Sequence, residues 1–341
     1  MNPPLSSSLV VQTSFLGDVI LTTPLISALA ARGPVDVVTT PTGAPLLANN
    51  PAIRAVIAYD KRGADAGIGG LLRLGGRLRA AQYDAAYLAQ GSWRSAALAV
   101  TARVGKRVGF STSAGRFLYT QRITPGRDSH HAERLWRLAA GMSAPKPSPA
   151  SIRPRLFPDD AARSEVTALL ARTPRDGATL IALAPGSVWA TKRWPHYAAL
   201  AARLAPLHRI VVLGSGADAA LAAEIAAAVG AERCIDATGR LSLLASAALL
   251  EMCAGVVTND SAPLHLASAM GTPTVAIFGP TVPAFGFGPL SERQAIVQTD
   301  GLDCRPCDSH GPQRCPLSHW KCMQELRVQL VMDAVLSTTT P

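Results

Sequence analysis

Two stretches of the 341-residue chain each alternate short, β-branched apolar runs with helical segments, and this alternation constrains the fold more than any other feature. Short apolar runs rich in β-branched residues predict strands. The segments between them have the length and apolar spacing of amphipathic helices. Successive strands that are joined by helices pair in parallel through right-handed crossovers. The sequence therefore predicts an α/β chain with two doubly wound, Rossmann-like domains that face a cleft.

The predicted elements follow a similar order in the two halves. In the first half, strands are predicted at 8–13, 35–39, 56–59 and 84–88, with helices near 18–32, 68–81 and 92–104. In the second half, strands are predicted at 179–184, 209–213, 255–258 and 274–278, with helices at 195–205, 217–229, 241–253, 263–270 and 324–336.

A proline-rich segment separates the two halves. Residues 144–160 contain five prolines, and proline interrupts both helices and central strands. We therefore expect an N-terminal domain at 1–150, a C-terminal domain at 151–325, and a C-terminal helix and tail at 326–341.

Composition excludes disorder and favours anionic partners. Hydrophobic residues make up 48% of the chain and charged residues 16%, while 33 basic against 23 acidic residues give a net charge of +10. The basic residues are scattered, and no module with stacking aromatics is visible, so we expect sugar phosphates and lipid surfaces rather than nucleic acid. The longest apolar stretch, 241–257, contains Ser242, Ser246, Glu251 and Gly255, and no signal peptide is apparent. These features predict no transmembrane helix and a cytoplasmic protein.

The loop after the first predicted strand carries a candidate catalytic carboxylate. Its sequence, TSFLGD at 13–18, joins a strand to a helix, and ligands of open parallel sheets bind where strands end. Gly17 permits either a positive φ or the close approach of a ligand. Asp18 begins a helix, where an aspartate also serves as a cap. The loop is not a GxGxxG dinucleotide motif.

A second loop, at 185–195, has the composition of a phosphate site. Backbone N–H groups and the hydroxyls of Ser187 and Thr191 can bind phosphate oxygens. Lys192 adds a point charge, and Arg193 adds a fork of donors. A solvated basic turn is the alternative interpretation.

Two further polar segments follow strands at the same predicted edge. TNDSAPLH at 258–265 opens a helix, and FGPT at 278–281 ends the next strand. Together with the loop at 185–195, they predict a nucleotide-binding surface. The alternative for the first segment is a helix cap formed by Asp260 or Ser261, with His265 packed on its own turn.

Taken in order, these segments resemble the motifs of glycosyltransferase family 9, the lipopolysaccharide heptosyltransferases, with the heptosyltransferase II branch as the nearest match. The resemblance covers residues from about 8 to 330. It implies a GT-B fold that binds a nucleotide-sugar donor in the C-terminal domain and an acceptor in the N-terminal domain. It also implies an inverting, metal-independent transfer from ADP-L-glycero-D-manno-heptose to the lipid A–Kdo inner core of lipopolysaccharide. We then expect a monomer, peripheral to the inner face of the inner membrane.

The resemblance assigns roles to individual residues. The family's catalytic aspartate matches Asp18, and its phosphate-binding lysine matches Lys192. The family's donor loop matches Asp260, Ser261, Ala262 and His265. Ala262 and Pro263 stand where the family often has glycine, and proline has no N–H to donate.

A mechanism follows from these roles. Asp18 accepts the proton of the acceptor hydroxyl, while Lys192, Ser187 and the helix start at Ser261 stabilise the departing diphosphate. We also expect Asp218 to bind the ribose hydroxyls and Leu241 to line the adenine pocket.

Four cysteines crowd one segment near the C-terminus. The spacing of Cys304, Cys307, Cys315 and Cys322 is compatible with a structural zinc ion, or with free or redox-active thiols.

Three other functions remain open from the sequence. They are a family 9 transferase that uses another nucleotide sugar or adds a later core heptose, a nucleotide-sugar epimerase of similar fold, and a non-enzymatic nucleotide-binding module. No second acid or base beside Asp18 is evident, which argues against the epimerase.

Overall fold

The computed structural model describes residues 6–171 and 177–340. The chain divides into two compact units between Phe157 and Pro158, inside the proline-rich segment that predicts the linker. Residues 1–5, 172–176 and 341, which belong to the predicted domains and tail, lie outside the described residues.

Unit 1 contains a six-stranded sheet in the order β3-β2-β1-β4-β5-β6, and its neighbouring strands are all parallel. Its strands are β1 (Ser8–Gln12), β2 (Val35–Thr39), β3 (Ala55–Ala58), β4 (Ala85–Leu88), β5 (Lys106–Phe110) and β6 (Gln121–Ile123). Its helices are α1 (Leu16–Leu21), α2 (Thr23–Ala30), α3 (Ala44–Leu47), α4 (Gly67–Arg79), α5 (Trp93–Thr101), α6 (His131–Ala140) and α7 (Pro149–Ile152).

Unit 2 repeats this plan with the parallel order β12-β11-β10-β7-β8-β9. Its strands are β7 (Thr179–Ala184), β8 (His208–Val212), β9 (Cys234–Asp236), β10 (Gly255–Asn259), β11 (Thr274–Phe278) and β12 (Gln294–Gln298). Its helices are α8 (Asp160–Leu170), α9 (Tyr197–Leu204), α10 (Ala219–Val229), α11 (Leu243–Met252), α12 (Ala262–Met270), α13 (Lys321–Gln324) and α14 (Val328–Thr339).

The central strands are buried because helices cover both faces of each sheet. Every residue of β1 and β10 is buried, as parallel sheets in doubly wound folds require. Apolar clusters that include Leu9 and Leu88 in unit 1, and Ile181 and Val257 in unit 2, form the cores. The eight predicted strands are therefore present.

The sequence prediction missed the outer elements of both sheets. β6 and β9 are three residues long, while β5 and β12 include polar, exposed positions, so none of them has a long apolar run. The helix predicted at 18–32 is instead α1 and α2. Pro24 lies in the first turn of α2, where its missing N–H removes no helical bond.

Strand order places one crevice in each unit. The order of strands reverses between β1 and β4 in unit 1 and between β7 and β10 in unit 2. In sheets of this kind, ligands bind beyond the carboxyl ends of the strands at such a reversal. The loops after β1 and β4, and those after β7 and β10, are therefore the places to look for a site.

A fully buried asparagine fixes the crevice loops of unit 2. The Asn259 Nδ2 group donates to the Pro185 carbonyl at 2.8 Å, and its Oδ1 accepts from the Trp194 N–H at 3.3 Å and the Tyr197 hydroxyl at 3.2 Å. Burying an amide is favourable only when its donors and acceptors are paired. Asn259 therefore holds the ends of β7 and β10 and the start of α9 in one arrangement.

Candidate active site

Asp18 lies at the crevice of unit 1, in the first turn of α1. The residue at the N-cap position is Phe15, so Asp18 is not the N-cap residue but the acidic residue of the first turn, where a negative charge still stabilises a helix. Gly17 lies inside α1, and it is not among the glycines with positive φ. Of the two possibilities for Gly17, the positive φ is therefore excluded, and the close approach of a ligand stays a prediction.

A short hydrogen-bond network holds this loop in place. The Thr22 hydroxyl donates to the Asp18 carbonyl at 2.7 Å and accepts from the Gln12 amide at 3.1 Å. Gln12 is 1% exposed, and its Oε1 accepts from the Ser14 N–H at 3.3 Å. The backbone that carries Asp18 is thus tied to the end of β1.

The structure also brings a histidine to Asp18. The Nε2 atom of His131, the first residue of α6, lies 3.5 Å from the Asp18 Oδ1 atom, and both side chains are less than a fifth exposed. Burial, and to a lesser extent the neighbouring Arg134, lower the pKa of His131 from 6.5 to about 4. The imidazole is therefore neutral at pH 7.

A lysine supports the same loop from the neighbouring strand. The Lys61 ammonium, which follows β3, donates to the Thr13 carbonyl at 2.7 Å and to its hydroxyl at 3.3 Å. The Thr13 hydroxyl also lies 3.3 Å from Gln90 Oε1, beyond β4. Burial lowers the Lys61 pKa, and Arg62 and Arg94 lower it further. The sequence prediction missed Lys61 and Gln90. The signal for them was their position as polar residues just after the predicted strands at 56–59 and 84–88.

Lys192 and Asp260 form a buried ion pair at the crevice of unit 2. The Lys192 Nζ atom lies 2.6 Å from Asp260 Oδ2 and 3.1 Å from the Asp260 carbonyl oxygen. The Thr281 hydroxyl donates to the same Oδ2 atom at 2.7 Å. Lys192 is 7% exposed and Asp260 9%, so neither belongs to a solvated basic turn. The motifs at 185–195, 258–265 and 278–281 therefore meet at one place.

Other residues that were predicted to bind the nucleotide sugar hold the loop after β7 in its conformation. Arg193 donates through Nε and Nη2 to the Ser187 carbonyl, at 2.9 and 2.8 Å, and so it holds the loop. The Ser187 hydroxyl accepts from the Trp189 N–H at 3.2 Å. The Thr191 hydroxyl donates to the Pro312 carbonyl. These contacts fix the loop in the orientation that buries the Lys192 ammonium against Asp260.

The segment 304–320 covers this loop. The sequence did not predict this contact. Trp320 Nε1 donates to the Thr191 carbonyl at 2.8 Å, and the Gln313 amide donates to the Val188 carbonyl at 2.9 Å. The Arg305 guanidinium donates to the carbonyls of Gly279, Thr281 and Thr299. The segment therefore anchors both the Lys192 loop and the loop that bears Thr281.

Asp218 lies beside the loop that follows β7. Its Oδ2 accepts from the Ser215 N–H at 2.9 Å and the Ser215 hydroxyl at 2.8 Å. A Cβ at Gly186 would lie 2.4 Å from Asp218 Oδ1, so glycine is needed where the two loops touch. Ribose binding by Asp218 stays a prediction.

The start of α12 lies beside Asp260. Ser261 occupies its N-cap position but accepts no capping hydrogen bond through its side chain. Ala262 and Pro263 follow in the first turn, where the proline removes no helical bond. His265 is 4% exposed and meets the Phe287 ring edge-on at 6.3 Å. Leu241 lies half-buried just before α11, and its contact with adenine stays a prediction.

The C-terminal cysteines are thiols rather than disulfides. Cys304, Cys307 and Cys315 line a cavity of about 290 Å³. Within residues 6–171 and 177–340, no group of three or more histidine, cysteine, aspartate or glutamate side chains is placed to hold a metal ion. Zinc binding therefore stays a prediction, and the arrangement as it stands does not favour it.

No helix among the described residues is long and apolar enough to cross a bilayer.

Sequence comparison identifies the family. The model of Glycosyltransferase family 9 (heptosyltransferase) matches residues 71–318, which is more than half of the chain. The chain belongs to glycosyltransferase family 9. It is a glycosyltransferase of the lipopolysaccharide heptosyltransferase family, as the sequence motifs predict.

Relatives match nearly the whole of this family 9 glycosyltransferase. Lipopolysaccharide heptosyltransferase 2 of Salmonella typhimurium is 29% identical over 304 residues, which cover 85% of this chain and 87% of the relative. The structure of E. coli ADP-heptose lps heptosyltransferase II is similar with a TM-score of 0.78 and 25% identity, over 98% of both chains. The family 9 glycosyl transferase from Veillonella parvula shares the fold, with a TM-score of 0.86, 23% identity, and coverage of 99% and 98%.

These similarities confirm the predicted GT-B fold and the glycosyltransferase activity. They do not support the epimerase or the non-enzymatic module. The roles of individual site residues stay predictions.

The lowered pKa of His131 predicts how stability depends on pH. The unfolded chain binds this proton below about pH 6.5 and the folded chain only below about pH 4. The free energy of unfolding should therefore fall as the pH drops through this window, with His131 contributing up to about 3 kcal/mol of the loss. His131→Gln should flatten the dependence in urea unfolding measured between pH 7 and pH 4.

The exposed histidine His310 provides the matched control. His310→Gln should leave the pH dependence close to wild type. If His131→Gln loses stability with the same slope as wild type, the imidazole is not held neutral by burial.

Proposed function

We propose that this enzyme transfers L-glycero-D-manno-heptose from ADP-L-glycero-D-manno-heptose to the lipid A–Kdo inner core of lipopolysaccharide, with inversion at the anomeric carbon. The observation that carries the proposal is that each unit has its charged candidate residues at its own strand reversal. Asp18 follows β1 in unit 1, and the Lys192–Asp260 pair follows β7 and β10 in unit 2. The E. coli structural relative is named for an ADP-heptose donor and a lipopolysaccharide acceptor, which supports the choice of substrates.

Unit 2 binds the nucleotide diphosphate in this proposal. An ammonium group has three N–H donors, and in the described part of the chain the Lys192 ammonium donates only to Asp260. One donor therefore remains for a diphosphate oxygen. The start of α12 at Ser261 adds the positive end of a helix dipole beside it. In this proposal Ser187, Thr191, Ala262 and His265 also contact the donor, as the family resemblance implies.

Asp18 is the base in this proposal. A carboxylate that accepts the proton of the acceptor hydroxyl strengthens its attack on the anomeric carbon, on the face opposite the departing ADP. Neutral His131 beside Oδ1 helps to orient the carboxylate toward the acceptor hydroxyl. A transfer with one base and no covalent intermediate is a single displacement, which inverts the configuration of the anomeric carbon.

No divalent metal is required in this scheme. The charge that grows on the leaving diphosphate is stabilised by the Lys192 ammonium and the N-terminus of α12, which take the place of a cation. The enzyme acts as a monomer, at the cytoplasmic face of the inner membrane, where its acceptor is anchored.

A second donor remains compatible with the same geometry. The contacts described here recognise a diphosphate, whereas the adenine and heptose contacts are assigned only by resemblance. A family 9 transferase with another nucleotide sugar would share the Lys192–Asp260 pair. Turnover with a panel of ADP-, GDP- and UDP-sugars distinguishes them, and we expect ADP-heptose to be used at least tenfold better than the others.

Asp18→Asn should abolish most transfer without loss of the fold. The amide keeps the size of the side chain but cannot accept a proton, so turnover should fall by about 10² to 10⁴-fold while ADP binding is unchanged. Asp128→Asn, which removes an exposed carboxylate of the same unit, is the control and should stay active. Near wild-type turnover of Asp18→Asn, measured as heptose transfer to a Kdo-lipid acceptor, would exclude Asp18 as the base.

Lys192 should account for the preference of the enzyme for ADP over AMP. Removing Lys192 alone would leave the Asp260 carboxylate buried without its cation, which is strongly destabilising. We therefore pair Lys192→Gln with Asp260→Asn, which removes both charges and keeps similar volumes. Isothermal titration should show that this double variant loses about tenfold to a hundredfold in ADP affinity and little in AMP affinity.

Asp260→Asn alone is the comparison variant for this experiment. It leaves the buried Lys192 ammonium without its carboxylate, which also costs stability, so circular dichroism first establishes that it folds. Because it keeps the ammonium, the folded variant should retain the preference for ADP. A double variant that discriminates ADP from AMP as well as wild type would place the diphosphate elsewhere.

A further inference from the structure

Unit 1 exposes large apolar side chains beside its crevice. Ile68 and Leu72 of α4 are 75% and 54% exposed, and Trp93 and Phe117 are 54% and 62% exposed. We call these four side chains the aromatic patch. Single exposed apolar residues are common on soluble proteins, but a contiguous group marks an interaction surface.

Contacts join the two rings of the patch and the segments that carry its four side chains. The rings of Trp93 and Phe117 stack with centroids 6.2 Å apart and planes 18° from parallel. Arg94 donates to the Lys61 carbonyl at 2.8 Å and to the Gly67 carbonyl at 3.3 Å, which joins the start of α5 to the start of α4. Ile68 and Leu72 are four residues apart and so share one face of α4.

The surroundings of the patch are basic. Residues 61–79 contain five basic residues and one acidic residue, namely Lys61, Arg62, Arg73, Arg77, Arg79 and Asp65. The Arg73 side chain is 65% exposed, and the Arg116 guanidinium lies 4.4 Å from the centre of the Phe117 ring. A partner that fits this surface is apolar, with negatively charged groups at its edge.

We propose that the aromatic patch docks unit 1 on a bilayer surface rich in anionic lipids. Aromatic rings favour the boundary between headgroups and acyl chains, and arginine and lysine are attracted to anionic headgroups. The inference rests on the proposed function, in which the acceptor is anchored in that bilayer.

The position of the patch gives docking a purpose. Trp93 comes shortly after β4 and residues 61–67 come shortly after β3, at the same edge of the parallel sheet where Asp18 follows β1. Contact of this edge with the membrane brings the base of unit 1 to the depth of the acceptor sugars. The lipid then stays in the bilayer during transfer.

Sedimentation with vesicles tests the docking surface. Wild-type enzyme should sediment with vesicles of phosphatidylcholine and phosphatidylglycerol, less with phosphatidylcholine alone, and less as salt is raised. Trp93→Ser with Phe117→Ser should weaken this binding about tenfold or more. Leu207→Ser with Leu330→Ser, which removes exposed apolar side chains from unit 2, should bind like wild type.

Transfer assays separate this inference from the proposed function. The Trp93→Ser, Phe117→Ser enzyme should transfer heptose normally to a delipidated, water-soluble acceptor and poorly to an acceptor in vesicles. Equal vesicle binding by wild type and this variant would overturn the docking surface. So would a wild-type dimer, seen by sedimentation, that the variant cannot form, because the patch would then bind a second copy of the chain. Failure of wild type to transfer to either acceptor would contradict the proposed function, while vesicle binding still decides the patch.

Discussion

The ion pair between Lys192 and Asp260 is the contact around which the second unit arranges its loops. Removing two charges from water costs free energy, which is recovered only with short distances and additional hydrogen bonds. The pair meets both conditions, with an Nζ–Oδ2 distance of 2.6 Å and further bonds from Lys192 to the Asp260 carbonyl and from Thr281 to the carboxylate. Because its members follow different strands, the pair fixes the two sides of the crevice. Asn259, Arg305 and the segment 304–320 then hold the backbone on which the pair depends.

The first unit has the same fold, but its crevice holds a single carboxylate rather than an ion pair. Its crevice holds a partly buried carboxylate, Asp18, whose helix is anchored through Thr22 and Gln12 to the central strand. The lowered pKa of His131 keeps a neutral ring against that carboxylate. An uncharged neighbour leaves the negative charge of Asp18 in place. In the proposed mechanism, Asp18 of this unit accepts a proton and Lys192 of the other stabilises the leaving diphosphate, the two functions that an inverting sugar transfer needs.

The sequence predicted this architecture where the physical signal was local. Buried central strands such as β1 and β10 have continuous apolar runs, and the loops after them have distinctive polar residues. Strands at or next to the sheet edges, such as β5 and β12, mix polar and apolar positions, so periodicity could not find them. The pairing of Lys192 with Asp260 joins residues far apart in the chain, and only the strand order brings them together.

Other contacts of the site also join residues far apart in the chain, so local sequence patterns could not predict them. His131 reaches Asp18 because α6 packs beside α1, and nothing in its own neighbourhood marks it. The spacing of the cysteines left a zinc ion and free or redox-active thiols open, and it gave no sign that their segment anchors the Lys192 loop. Resemblance to the family supplied the role of Asp18, since its local setting favoured a helix cap.

The configuration of the new glycosidic bond tests the central claim most directly. Wild-type enzyme is incubated with ADP-L-glycero-D-manno-heptose and a Kdo-lipid acceptor in buffer containing EDTA, and the product is examined by NMR. A heptosyl linkage with the anomeric configuration opposite to that of the donor is the predicted result. Retained configuration, or no transfer until a divalent metal is added, would contradict direct displacement by one hydroxyl with Asp18 as base and Lys192 at the leaving diphosphate.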